Sequence, residues 1–206
     1  MVLIMRPEQV VYFIPPKLNN FPSQHLALHD MTATISDTDL ILNADGSIYH
    51  LNLLPGDVAD TVITVGDPDR VSEISRHFDH IELKKGNLEF ITHTGVMRGK
   101  RLTVISTGIG TDNIDIVFNE LDALLNIDFK TRTVNSRLRS LDIIRIGTSG
   151  AIQADIPVDS ILASSAAFGL DPLMHYYHYN KTEDEQVKQT AFEDFVFGQD
   201  DNNHIK

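Results

Sequence analysis

The sequence predicts an α/β fold, a mixed central β-sheet flanked by helices, and three observations carry that expectation. Thr61 to Val65 is β-branched throughout and passes through Gly66 into Val71, Ile74 and Phe78 at helical spacing, so a strand buried on both faces feeds a helix. Arg101 to Ser106 is a second strand, which enters Gly108-Ile109-Gly110 and then a longer helical face of Ile114, Val117, Phe118, Leu121 and Leu125. Asp142 to Ile146 is a third short apolar strand, and it ends in Gly147-Thr148-Ser149-Gly150. Strands alternating with helices imply parallel pairing.

Taken in order, residues 1–45 read as a loose N-terminal extension, with Pro7, Pro15, Pro16 and Pro22 and no sustained period. Val10 to Ile14 is apolar but too short for a signal-peptide core. Met31 to Ser36 would serve as an ordinary cytosolic start, which would leave the first 30 residues outside the working fold. Residues 46–206 then form one α/β domain. Asp45-Gly46 is a turn, and Ser47 to Leu54 leads into the first strand. A helix is expected over about 68–79, capped by Asp67, with Pro68 at its first position where a missing N–H costs nothing. Glu89 to Thr94 pairs with Arg101 to Ser106 as a hairpin whose connection carries Gly95 and Gly99. Asp128 to Ser140, with Lys130, Arg132, Arg137 and Arg139, reads as a solvated loop. Val158 to Ala163 is the last clear strand. Ala191, Phe192, Phe195 and Val196 suit a short amphipathic helix before a frayed tail.

Composition narrows the function classes. Of 206 residues, 42% are hydrophobic and 22% charged, which is ordinary for a globular protein with a substantial core. Twenty-nine acidic against 17 basic residues give a net charge of −12, which argues against nonspecific binding to nucleic acid or anionic membrane. No cysteine is present, so disulfides and thiol chemistry are out. No apolar run approaches the roughly 20 residues of a spanning helix. A cytoplasmic enzyme is the expectation. His25 with His29, His77 with His80, and His175 with His178 have helical spacing, but no metal-binding pattern accompanies them.

The chemistry gathers at the ends of the predicted strands. Gly66 permits a sharp turn, a helix start offers backbone N–H groups, and Arg70 adds a full positive charge. Phosphate is the obvious guest, with a surface pairing of Arg70 to Asp67 or Asp69 as the alternative. Arg145 is an arginine inside an otherwise apolar run, and it must find an anion because an unpaired buried charge is costly. That anion is either a buried carboxylate of this chain or a ligand. Two guanidinium groups at the carboxyl ends of parallel strands would suit one phosphate dianion. Gly108 and Gly110 start the next helix, but Asn113 stands where a dinucleotide fingerprint needs its third glycine.

Three motifs in this order, Gly66-Asp67-Pro68-Asp69-Arg70-Val71, Ser106 to Gly110 and Arg145 to Ile152, resemble the uridine phosphorylase branch of the nucleoside phosphorylase family over about residues 47–165. Tyr49-His50-Leu51 resembles the segment that carries a sugar-binding histidine in that family. The resemblance implies a phosphorylase/hydrolase-like three-layer α/β/α fold, incomplete at its C-terminus. It implies a pentosyltransferase catalysing phosphorolysis of a nucleoside, uridine first, to free base and ribose 1-phosphate. Inorganic phosphate would be the co-substrate, with no cofactor and no metal. By the same resemblance Gly66, Arg70, Arg145, Gly147 and Thr148 hold phosphate, Arg145 and Thr148 are catalytic, and Thr148 also reaches the sugar. His50 would bond a sugar hydroxyl from a neighbouring subunit, which implies a dimer-based homo-oligomer with shared sites. Two departures stand out. Leu88 precedes Glu89-Phe90 where the family has a phosphate-binding arginine, with Lys84 or Lys85 as possible substitutes, and the later base- and ribose-reading segments have no match. A purine nucleoside phosphorylase and a noncatalytic phosphorylase-like domain therefore remain as alternatives.

Overall fold

The computed structural model describes residues 2–5, 34–164, 167–177 and 180–197. Six strands form one sheet whose order across the width is β1 (Val2–Met5), β8 (Asp142–Ile146), β2 (Thr61–Val65), β5 (Lys100–Ser106), β4 (Phe90–Met97) and β3 (His80–Asn87). The central three, β8, β2 and β5, run parallel, while β1 at one edge and β4 and β3 at the other are antiparallel. Thr64 stands opposite Ile105 on one side and Arg145 on the other, which brings the ends of β2 and β8 level.

The alternation of side chains across the sheet separates two cores. Val62, Phe90, Ile105 and Ile143 pack with Val117, Leu121, Leu124 and Leu125 of helix α2 (Thr111–Asn126). Ile63, Val65 and Val104 pack on the opposite face with Val71 of helix α1 (Asp69–Ser75) and with Phe78. Helix, sheet and helix thus form the three layers expected of the α/β/α fold. β2 is buried on both faces, as its β-branched run requires, and each fully buried side chain of this size contributes about 1.5–3 kcal/mol.

Local differences from the expected elements have physical reasons. Pro68 is the N-cap of α1 in place of its first residue, and Asp67 Oδ1 accepts the Asp69 N–H at 3.0 Å. The β4–β5 hairpin turns at Arg98-Gly99, both at positive φ, so Gly95 lies inside β4 and not in the connection. β3 was not expected, although Ile81 and Leu83 alternate with polar residues in the way an edge strand does. Asp128 to Ser140 is not wholly a solvated loop: β6 (Ile127–Asp128) pairs with β7 (Thr133–Val134), and Arg132 donates to the carbonyls of Ile35, Ser36 and Leu40 at 2.9, 2.7 and 2.5 Å.

That arginine also corrects the picture of residues 1–45 as a loose extension. Leu40 is buried in the core beside Ile48 and Leu51, and Val2–Met5 pairs with β8; residues 6–33, which include His25 and His29, lie outside the described residues. Val158 to Ala163 does not form the expected strand. Val158 and Ile161 are 91% and 89% exposed, and the edge of β8 where another strand could pair is taken by β1.

The chain divides into two compact units, Met1–Leu173 and Met174–Lys206. The second unit contains helix α3 (Glu183–Phe197), longer than the four apolar positions suggested. Its start is a capping box: Thr182 Oγ1 accepts the Glu185 N–H, and Glu185 Oε2 accepts the Thr182 N–H at 2.7 Å. Residues 198–206, the expected frayed tail, lie outside the described residues. No described helix is long and apolar enough to cross a membrane.

One buried histidine makes the fold sensitive to acid. His93 on β4 is buried with its Nδ1 2.7 Å from Ser75 Oγ, and burial, then the charge of Lys84, push its pKa below the ordinary 6.5. Above about pH 6.5 the ring is neutral in both folded and unfolded chains. Below it the unfolded chain takes up a proton that the folded chain resists, so stability falls as pH drops. Urea unfolding of wild type and His93→Gln at pH 7.5 and 5 should show a steeper loss for wild type. Parallel losses would remove His93 from the account.

Candidate functional site

Arg145 is the centre of the site. It leaves β8 next to the turn that follows β2, where a Cβ on Gly66 would stand 3.1 Å from Arg145 Nη2 and 3.6 Å from the Gly108 carbonyl oxygen. A side chain at Gly66 would press on the guanidinium, which would have to shift by a few tenths of an ångström. Nη1 of Arg145 is buried and has no hydrogen-bond partner among the described residues. Among the described residues no carboxylate forms an ion pair with Arg145, so the alternative of a buried ion pair finds no partner there. Burial first, and the positive charge of Arg70 second, depress its pKa. Arg70 forms no ion pair with Asp67 or Asp69 among the described residues, so the surface-pairing alternative fails as well. Two like charges act on one another here, one of them with a donor that has no partner among the described residues, and an anion would satisfy both.

The third wall is the turn after β5. At Gly108, with φ +63°, a side chain would be strained, and its Cβ would lie 2.5 Å from Asn113 Nδ2 and 3.0 Å from Glu89 Cγ, so those side chains would have to shift. Asn113 Nδ2 in turn donates to Glu89 Oε1 at 2.9 Å, so the loop is bolted to the β3–β4 turn. Gly110 caps α2 at φ +115° with no side-chain hydrogen bond. Gly147 follows β8 directly, and Thr148 is exposed in the irregular segment beyond it.

His50 belongs to a separate cluster. Its Nδ1 lies 2.7 Å from Glu120 Oε1 on α2, and the same carboxylate accepts the His50 N–H at 3.1 Å and the Leu51 N–H at 2.8 Å. Asn87 Nδ2 donates to the carbonyls of Tyr49 and His50 at 3.3 and 3.2 Å. Sequence reading missed Glu120, and nothing in the spacing could have shown it, because it lies 70 positions from His50.

Leu88, next to Asn87, occupies the β3–β4 turn at φ +55° and is 74% exposed. It stands beside the His50 segment. Lys85 is not free to replace a missing arginine, since its Nζ is paired with Asp57 at 3.0 Å. Lys84 is exposed and faces His93 across the β3–β4 ladder. Among the described residues no three His, Asp or Glu side chains are grouped to hold a metal.

Two arginines and two glycine turns lie at the carboxyl ends of adjacent parallel strands, the place where open α/β sheets bind their ligands. The family model for the phosphorylase superfamily matches residues 60–199, and the chain belongs to that superfamily. A uridine phosphorylase of Thermococcus kodakarensis is 35% identical over 133 residues, covering 65% of this chain and 43% of the relative. A DeoD-type purine nucleoside phosphorylase of Listeria welshimeri is 31% identical over 119 residues, covering 57% and 46%. Among solved structures, a Trypanosoma brucei nucleoside phosphorylase described as showing uridine phosphorylase activity is 32% identical with a TM-score of 0.64, over 75% of this chain and 54% of the other. The chain thus spans about half the length of the relatives it matches.

Proposed function

We propose that this chain supplies the phosphate-binding part of a nucleoside phosphorylase acting first on uridine. The observation that carries this reading is the buried Nη1 of Arg145, which has no partner among the described residues, on a guanidinium beside Gly66 and acted on by the charge of Arg70. Inorganic phosphate would be the co-substrate, with no further cofactor. In phosphorolysis a phosphate oxygen bonds to the anomeric carbon while the glycosidic C–N bond breaks and its electron pair leaves with the base. No covalent enzyme intermediate is needed, so the protein's task is to hold the dianion in line and stabilise developing charge. Arg70 and Arg145 would do this as paired forks, Gly66 and Gly147 would let the oxyanion approach the backbone, and Thr148 would reach both phosphate and sugar.

The sugar would be held by His50 of an adjacent subunit, which is why the reading includes a homo-oligomer in the cytoplasm. A site completed across an interface also accommodates Leu88, which is exposed in the β3–β4 turn and offers phosphate no charge.

The test is cleavage of uridine and inosine, with and without added phosphate, followed by chromatography of the free base. Phosphate-dependent uracil release is the expected result. Hypoxanthine release would move the chain to the purine branch, in line with its similarity to the Listeria enzyme. No base from folded protein would make it a noncatalytic domain.

A further inference from the structure

The His50 segment is held far more tightly than an exposed turn requires. Both oxygens of Glu120 accept backbone N–H groups, from His50 and Leu51, and these donors can only donate. The carboxylate therefore acts as an acceptor toward the ring as well, and its shortest contact, 2.7 Å, is the one to His50 Nδ1. A backbone clamp alone would not need that third bond. With Nδ1 carrying the proton, a neutral ring has its lone pair on Nε2, the edge turned away from Glu120. The ring is also flanked edge to face by Tyr49, with centroids 4.8 Å apart, and by buried Phe90 at 6.4 Å. Asn87 fixes the carbonyls on the other side of the same peptides. His50 is 31% exposed and Glu120 only 13%, so the imidazole reaches solvent while its anchor does not.

We infer that Glu120 is a positioning residue that locks His50 as the Nδ1–H tautomer, presenting Nε2 as a hydrogen-bond acceptor to a sugar hydroxyl donor. The device would select nucleosides that carry that hydroxyl, because a sugar lacking it leaves the oriented lone pair unmatched. This rests on the reading of His50 as the sugar contact, and the experiment separates the two.

Two measurements are made on the full chain. The first is long-range nitrogen–proton NMR of the His50 imidazole. Wild type should show a protonated Nδ1 and a bare Nε2, and Glu120→Gln, whose amide turns a donor toward one of the three N–H groups, should show a mixture. The second is kinetics. Glu120→Gln should raise KM for the nucleoside about tenfold, the loss of one hydrogen bond, while KM for phosphate changes less than about twofold. Combined with His50→Ala it should add nothing further, since the two act through one contact.

A wild-type ring protonated at Nε2, or an unchanged tautomer in Glu120→Gln, overturns the inference. So does additivity with His50→Ala, which would mark Glu120 as a structural clamp. If wild type has no turnover, the phosphorylase reading falls and the NMR still decides the tautomer. If Glu120→Gln does not fold, the wild-type spectrum alone decides.

Discussion

Arg145→Met should leave less than about a hundredth of the phosphate-dependent turnover, since a charged hydrogen bond to phosphate is worth about 1.5–3 kcal/mol and its loss also misplaces the nucleophile. The same substitution should raise the protein's stability in the absence of phosphate. Nη1 is buried without a partner among the described residues, and Arg70 is the charge that acts on the guanidinium. Replacing an uncompensated, partly buried cation by an apolar chain of similar length removes that cost, and a gain of about 1 kcal/mol is expected. Phosphate well above its dissociation constant should raise the melting temperature of wild type and leave the variant unmoved. Near-normal turnover would remove Arg145 from the site. A clear loss of stability would mean that the guanidinium has a structural partner within the fold.

Gly95→Ala should have the largest effect on stability. Gly95 lies in the middle of β4, where its Cβ would come within 2.4 Å of the His80 carbonyl oxygen and 2.6 Å of the Phe78 ring. The first neighbour is backbone in the adjoining strand, which cannot swing aside as a side chain can, and the second is packed in the core under α1. Overpacking of this kind is expected to cost about 3 kcal/mol, or about 10 °C in Tm for a domain of this size. Gly46→Ala is the control. It sits at φ +83° with nothing within 4 Å of its Cβ, so it should lose only about 1 kcal/mol through backbone strain. Equal losses in the two variants would show that crowding at Gly95 is relieved by movement of the strands.

Much of the fold was legible because its signals are local. Thr61 to Val65 reads as a doubly buried strand and is one, and the apolar face of α2 is visible at three- and four-residue spacing. Gly66, Arg70, Gly108 and Arg145 could be singled out because a glycine in a turn and an arginine in an apolar run are each anomalous where they stand. Elements that failed were those whose existence depends on a neighbour. β3 is an edge strand with weak alternation, recognisable only once β4 offers it a ladder. Val158 to Ala163 has strand composition, but composition cannot supply a partner edge, and Ile152, Val158 and Ile161 stay 89% to 99% exposed. Residues 34–45 lack a period and still deliver Leu40 to the core, because Arg132 gathers three of their carbonyls.

By itself, then, the sequence determined the strand–turn–helix units, the two cationic positions at their ends and the family these motifs resemble, all of which rest on residues within a few positions of one another. Only the tertiary structure decided that Arg145 Nη1 has no partner among the described residues, that Lys85 is already paired with Asp57, and that Glu120 holds His50 by two hydrogen bonds and Leu51 by a third. The physical reason is that charge pairing and hydrogen bonding act through a few ångströms of space, and chain order leaves that distance open until the sheet has closed.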